Sequence, residues 1–100
     1  RLAPTWLIIS AGYAAPRNDP LAGLQLTSAD YAALADRLRQ LVGEHRLVVA
    51  LEGGYDFDAL SMSTGATLSA LVGEQYRPEP ASSGEIGKPV VTAARQLWDL

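Results

Sequence analysis

The chain has 100 residues, 48% of them apolar, with a formal net charge of −3 and no cysteine. That apolar content excludes disorder throughout. The acidic balance argues against a nucleic-acid surface, which needs a dense basic patch, and the lack of cysteine excludes a disulfide framework and thiolate metal sites.

The first apolar run is WLIIS, residues 6–10. It is continuous rather than alternating, the pattern of a parallel strand buried on both faces. A long stretch, SAGYAAPRNDPLAGLQL, then runs over residues 10–26, far beyond the roughly 2–6 residues usual between strand and helix. Thr27 followed by Asp30 resembles a capping box. Tyr31, Leu34, Ala35, Leu38, Leu41 and Val42 repeat with helical spacing, and Gly43 supplies the stop.

LVVAL, residues 47–51, is a second strand of the same buried type. Asp56 caps a second helix whose face is Phe57, Leu60, Thr64, Leu68, Leu71 and Val72, with Gly73 at its end. RPEPASSGEIG, residues 77–87, reads as a polar linker. Pro89 opens a last helix with Val90, Val91, Ala94, Leu97 and Trp98 on one side. The expected division is residues 1–76 as a βαβα unit, 77–87 as linker, and 88–100 as a C-terminal helix packed on the same domain.

The fold class expected is α/β with parallel strands, one part of a three-layer αβα arrangement. Two strands apolar on both faces call for helices on both sides and for further strands. Exposed edges and apolar patches are therefore expected unless another segment covers them. The chain opens on Arg1, not Met, which adds to the expectation of a piece of something larger. Its covering partner is then a missing N-terminal portion of the domain or, failing that, a second copy of itself.

In open α/β sheets ligands bind beyond the carboxyl ends of the strands. Two stretches fall there, residues 10–26 and LEGGYD, residues 51–56. In the second, Gly53 and Gly54 permit a tight turn and close approach of substrate to the backbone. Tyr55 sits at the lip with a phenol that donates a hydrogen bond at neutral pH and so suits a developing oxyanion. Position alone leaves open that it merely packs its ring.

Other groups fare worse as chemical candidates. Ser10 is not in a G-x-S-x-G elbow. His45, the only histidine, falls at the opposite end of the sheet. Asp19 precedes Pro20, where a carboxylate commonly caps a turn. Glu52 has a conceivable partner in Arg17. No transmembrane run or signal-peptide pattern is present, so a cytoplasmic chain is expected, with no membrane and no nucleic-acid partner.

The two loops, in this order and at this spacing, resemble the C-terminal part of the histone deacetylase family. The likeness extends to its bacterial acetylpolyamine amidohydrolases and acetoin-utilisation proteins. The family pattern runs roughly S-A-G-F-D-A-H-x-x-D-P-L-G-G-L-x-L-T, and the chain has SAGYAAPRNDPLAGLQLT at 10–27. The family's L-E-G-G-Y-[ND] stands as LEGGYD at 51–56.

The resemblance implies a zinc amidohydrolase that removes acyl groups from acetylated lysine or polyamines, with Tyr55 as the catalytic tyrosine that polarises the acyl oxygen. It also implies a defect. The zinc-binding aspartate of the first loop belongs at position 14, where this chain has Ala14, and the histidine of that loop belongs at 16, where it has Pro16. Asp19 matches the D-P-L element, which is not the ligand. The expectation is no metal ligand in this chain, an incomplete zinc site, and no catalysis by the chain alone. The other expectation is a non-catalytic remnant serving as a binding or interaction module.

Overall fold

A computed structural model describes residues 3–13, 26–43 and 45–99. The elements are strand β1 (Leu7–Ala11), helix α1 (Ser28–Val42), strand β2 (Leu47–Leu51), helix α2 (Phe57–Leu71), a 3-10 turn (Glu85–Gly87) and helix α3 (Lys88–Trp98). β1 and β2 pair in parallel, with Leu7 opposite Leu47 and Ala11 opposite Leu51. The first strand lies one residue later than the apolar run suggests. The ladder starts where the Leu7 N–H donates to the Arg46 carbonyl, at 3.0 Å, and continues until the Glu52 N–H donates to the Ala11 carbonyl, at 2.8 Å. Trp6 precedes that register.

Both helix starts follow the sequence signals. Thr27, in extended backbone, caps α1, and its N–H and hydroxyl both donate to the Asp30 carboxylate, at 2.8 and 3.2 Å. The Asp56 carboxylate accepts the Ala59 N–H, at 2.8 Å. Gly43 and Gly73 end the helices at φ values of 74° and 83°, a region that glycine enters without steric cost.

The fully buried residues match the expected faces only at Ala35, with Tyr31, Leu38, Leu60 and Leu71 half-buried. α1 buries Ser28, Ala29, Ala32 and Ala35, while Leu34 and Leu41 are exposed. α2 buries Ala59, Ser63, Ala66, Thr67 and Ala70, while Phe57 is 85% exposed. Ala32, Ala35, Ala66 and Ala70 form one cluster, with Leu71 packed against it. The two helices thus meet through their smallest side chains, which allow their axes to come close. The Thr67 hydroxyl in this seam is satisfied by the Ser63 carbonyl, at 2.8 Å.

Both helices cover one face of the sheet. Ile9 and Ala11 of β1 line a small apolar cavity with Tyr31, Leu34 and Leu38 of α1 and Thr67 of α2. The strands alternate, so Ile8 and Val48 point the other way. They are register partners, both are exposed, and Ile8 is exposed to 73%. The bare apolar face expected from the sequence is present among the described residues.

The segment expected to be a linker makes two long-range ties. The Ser28 N–H donates to Glu79 Oε1, at 2.9 Å, and the Ser82 N–H donates to Asp30 Oδ1, at 3.0 Å. α3 follows with no buried residue.

Candidate functional site

The loops beyond the carboxyl ends of β1 and β2 stay joined after the sheet ends. The Tyr13 N–H donates to the Gly53 carbonyl, at 3.1 Å. Gly12 makes this possible, because a Cβ there would lie 2.9 Å from the Glu52 carbonyl oxygen. Gly54 is fixed by two constraints. Its φ is 136°, and a Cβ would meet Leu60 Cδ1 at 2.9 Å and Tyr13 Cβ at 3.2 Å. The turn that presents Tyr55 is therefore wedged between Tyr13 below and the first turn of α2 behind.

Tyr13 is only 3% exposed. Its ring packs edge-on against Tyr31 of α1, with centroids 5.0 Å apart and planes at 68°, a favourable arrangement for aromatic quadrupoles. Tyr55 by contrast is 61% exposed, and its hydroxyl lies back over Gly53, 4.0 Å from where a Cβ would be. The result is an exposed phenol on a turn supported by the buried Tyr13 and the half-buried Leu60.

Gly53, Gly54 and Tyr55 are consecutive and follow the carboxyl end of β2. His45 is not with them. It precedes β2, at a φ of 63°, and borders a depression with Arg39, Leu47 and Leu71 at the opposite end of the strand. Ser10 lies within β1, paired with Ala50. Ala14, Pro16, Arg17 and Asp19 lie outside the described residues, so the suggested Glu52–Arg17 pairing does too. Sequence reasoning passed over Tyr13. The available signal was Gly12 beside it, a glycine at a strand end where backbones approach closely.

The described residues hold no complete set of zinc ligands. Among the described residues no group of three His, Asp, Glu or Cys side chains could hold a metal ion, and zinc needs three or four such ligands. The small cavity behind Tyr13 is lined mainly by apolar side chains and does not include Tyr55. Also among the described residues, no helix is long and apolar enough to cross a membrane.

Comparison with known proteins agrees with this frame. The family model for the histone deacetylase domain matches residues 1–71. The chain is 44% identical over 77 residues to histone deacetylase 10, chloroplastic, of Oryza sativa subsp. japonica, a match that covers 74% of this chain and 17% of the rice protein. The crystal structure of the HDA15 HD domain superposes with a TM-score of 0.68 at 40% identity, covering 72% of this chain and 21% of that one. The structure of the histone deacetylase Clr3 superposes at 0.70 with 28% identity, covering 85% and 15%. The chain therefore spans about a fifth or less of these relatives. A matching family domain, the parallel βαβα frame and the Gly-Gly-Tyr turn at its carboxyl edge lead to one assignment: the chain belongs to the histone deacetylase family.

Proposed function

We propose that this chain is the C-terminal segment of a deacetylase domain and supplies the Gly-Gly-Tyr corner of its site. Tyr55 donates its hydroxyl proton as a hydrogen bond to the acyl oxygen of an acetylated lysine or polyamine as negative charge develops there. Gly53 and Gly54 leave room for the acyl group against the backbone. The observation that carries this reading is the exposed Tyr55 on a turn held by the buried Tyr13 and by Leu60.

Zinc belongs to the family's chemistry, and this chain does not provide for it. Ala14 stands where the aspartate ligand belongs, and an alanine has no atom to coordinate a metal. The chain alone is inactive on this reading. Its partner is the rest of the domain, which covers the bare sheet face, in a cytoplasmic setting with no nucleic acid involved. α3 packs on that same assembled domain.

The experiment pairs two substitutions in the complete protein. Ala14→Asp is expected to raise zinc stoichiometry toward one. Tyr55→Phe, added to Ala14→Asp, is expected to leave zinc binding alone and to abolish deacetylation of an acetyl-lysine peptide. A doubly substituted protein with an unchanged rate removes Tyr55 from the mechanism. If Ala14→Asp adds no zinc although the other ligands are in place, the inherited-frame argument fails. The second reading, a non-catalytic binding module, is favoured by the loss of the aspartate and the histidine at positions 14 and 16 together. It predicts binding of an acetylated peptide with no turnover in either protein.

A further inference from the structure

We propose that residues 79–82 form a strap that positions Tyr55 from a distance, by latching the first turn of α1. The proposal rests on the reading of Tyr55 as the acyl-oxygen donor.

α1 starts in a buried place: Thr27, Ser28 and Ala29 are all buried. The first N–H groups of a helix have no acceptor within it, so a buried start must find acceptors elsewhere. Ser28 finds one in the Glu79 carboxylate, 51 residues on. Asp30 bonds in two directions. Its Oδ2 accepts the Thr27 N–H of its own cap, and its Oδ1 accepts the Ser82 N–H of the strap. Both carboxylates sit at the positive end of the helix dipole. The strap therefore closes on the helix through one bond in each direction: a strap side chain to a helix amide, and a strap amide to a helix side chain.

The latched turn leads to the site by direct contact. Tyr31 follows Asp30 and packs edge-on against Tyr13. Tyr13 donates its N–H to the Gly53 carbonyl, and its Cβ is the wall that Gly54 fits against. Tyr55 is the next residue. Releasing the first turn of α1 frees Tyr31, lets Tyr13 tilt and loosens the turn under Tyr55. Glu79 and Asp30 are positioning residues, and neither touches a reacting atom.

The test is amide hydrogen exchange on the whole protein, comparing the wild type with Glu79→Ala and Glu79→Gln. In the wild type the Ser28 and Ser82 amides are expected to exchange more slowly than in an open chain. Glu79→Ala is expected to speed exchange at Ser28 by about tenfold or more, as for loss of a charged acceptor. It is expected to speed exchange at Tyr13 and Glu52 as well, with α2 unchanged. Glu79→Gln keeps an acceptor oxygen, so it produces the same pattern by a smaller factor. Open-chain exchange at Ser28 in the wild type overturns the latch. Faster exchange at Ser28 with Tyr13 and Glu52 unmoved overturns the coupling to the site. If Glu79→Ala unfolds the protein, seen as lost protection across α2, Glu79→Gln decides by the same criterion. These readouts are independent of activity, so failure of Tyr55 as a donor shows separately, in the Tyr55→Phe rate.

Discussion

Two apolar surfaces of this chain are built in opposite ways. The seam between α1 and α2 is made of Ala32, Ala35, Ala66 and Ala70, all buried. The far face of the sheet carries Ile8 and Val48, both exposed. The seam is closed by small side chains within the segment, while the sheet face has bulky side chains and nothing over them among the described residues. In a self-sufficient domain the bulky residues sit innermost and the alanines fill gaps. Here the order is reversed, and bulky Leu34, Leu41, Phe57 and Leu68 are exposed along the helices as well. A segment that closes its own seam but presents its largest apolar side chains outward is shaped to pack inside a larger domain.

The largest effect separates the two surfaces directly. Ala66 is 0% exposed at the seam, so Ala66→Leu must force α1 and α2 apart. Overpacking of this kind costs about 1–3 kcal/mol, and a close helix contact places it at the upper end. Phe57→Ala removes a far larger side chain but an exposed one, and is expected to change stability within about 0.5 kcal/mol in a form where α2 is uncovered. Urea denaturation of both variants measures the contrast. Equal losses would mean that the seam is not the closed surface.

That contrast also explains what the sequence could tell. Hydrophobic periodicity located β2, α1 and α2 closely, because strand runs and caps such as Thr27–Asp30 and Asp56 are local signals. It located the buried faces only in part: Ala35 is buried and Tyr31, Leu38, Leu60 and Leu71 are half-buried, while Leu34, Leu41, Phe57 and Leu68 are exposed. Periodicity finds bulky apolar residues, and Tyr31, Leu34, Leu38 and Leu41 are bulky whether or not something covers them. Alanine and serine carry little hydrophobic signal, so Ala29 and Ala32 stayed silent, and of the seam residues only Ala35 fell within the helical spacing. At the site, the Gly-Gly-Tyr turn was legible as a motif. Its support by Tyr13 was not, because that depends on pairing between distant strands. The ties from Glu79 and Ser82 to α1 cross about half the chain and leave no local pattern, so the segment read as a linker.

The next effect probes the wedge that joins the seam side to the site. Gly54→Ala places a methyl 2.9 Å from Leu60 Cδ1 at a φ of 136°. Strain at such a backbone position costs about 1–3 kcal/mol. The loss is expected with a displaced Tyr55, read as a changed tyrosine ring resonance. A Gly54→Ala protein of unchanged stability would show that the turn is not wedged.

A smaller effect is set by pH at the start of α1. Burial pushes the Asp30 carboxyl up, but hydrogen bonds from Thr27 and Ser82 outweigh it and hold the group below the usual carboxylate range. A carboxyl lowered in the folded state stabilises the protein above its unfolded pKa of about 3.9. That contribution disappears as pH falls through the lower folded value. Asp30→Asn is expected to cost about 1 kcal/mol at neutral pH, as for loss of a helix cap. It is also expected to flatten the part of the acid unfolding curve that Asp30 produces. A variant with the wild-type acid profile would remove Asp30 from the pH response.

The smallest effect in one setting becomes a large one in another. Ile8 is 73% exposed, so Ile8→Thr changes the burial within this segment little, and its stability by no more than about 0.5 kcal/mol. Threonine also keeps the β-branched shape that suits a strand. In the complete domain the same side chain is expected to lie under covering structure, where loss of a buried aliphatic group with a hydroxyl left in its place costs about 2–4 kcal/mol. Measuring Ile8→Thr in the 100-residue chain and in the full-length protein turns the bare face into a number. A large loss in the full-length protein alone means that the rest of the domain covers the sheet. A large loss in the short chain that grows with protein concentration means that a second copy covers it. If the loss is small in both, Ile8 faces solvent in the assembled protein, and the contrast between seam and sheet face is not one between finished and unfinished surfaces.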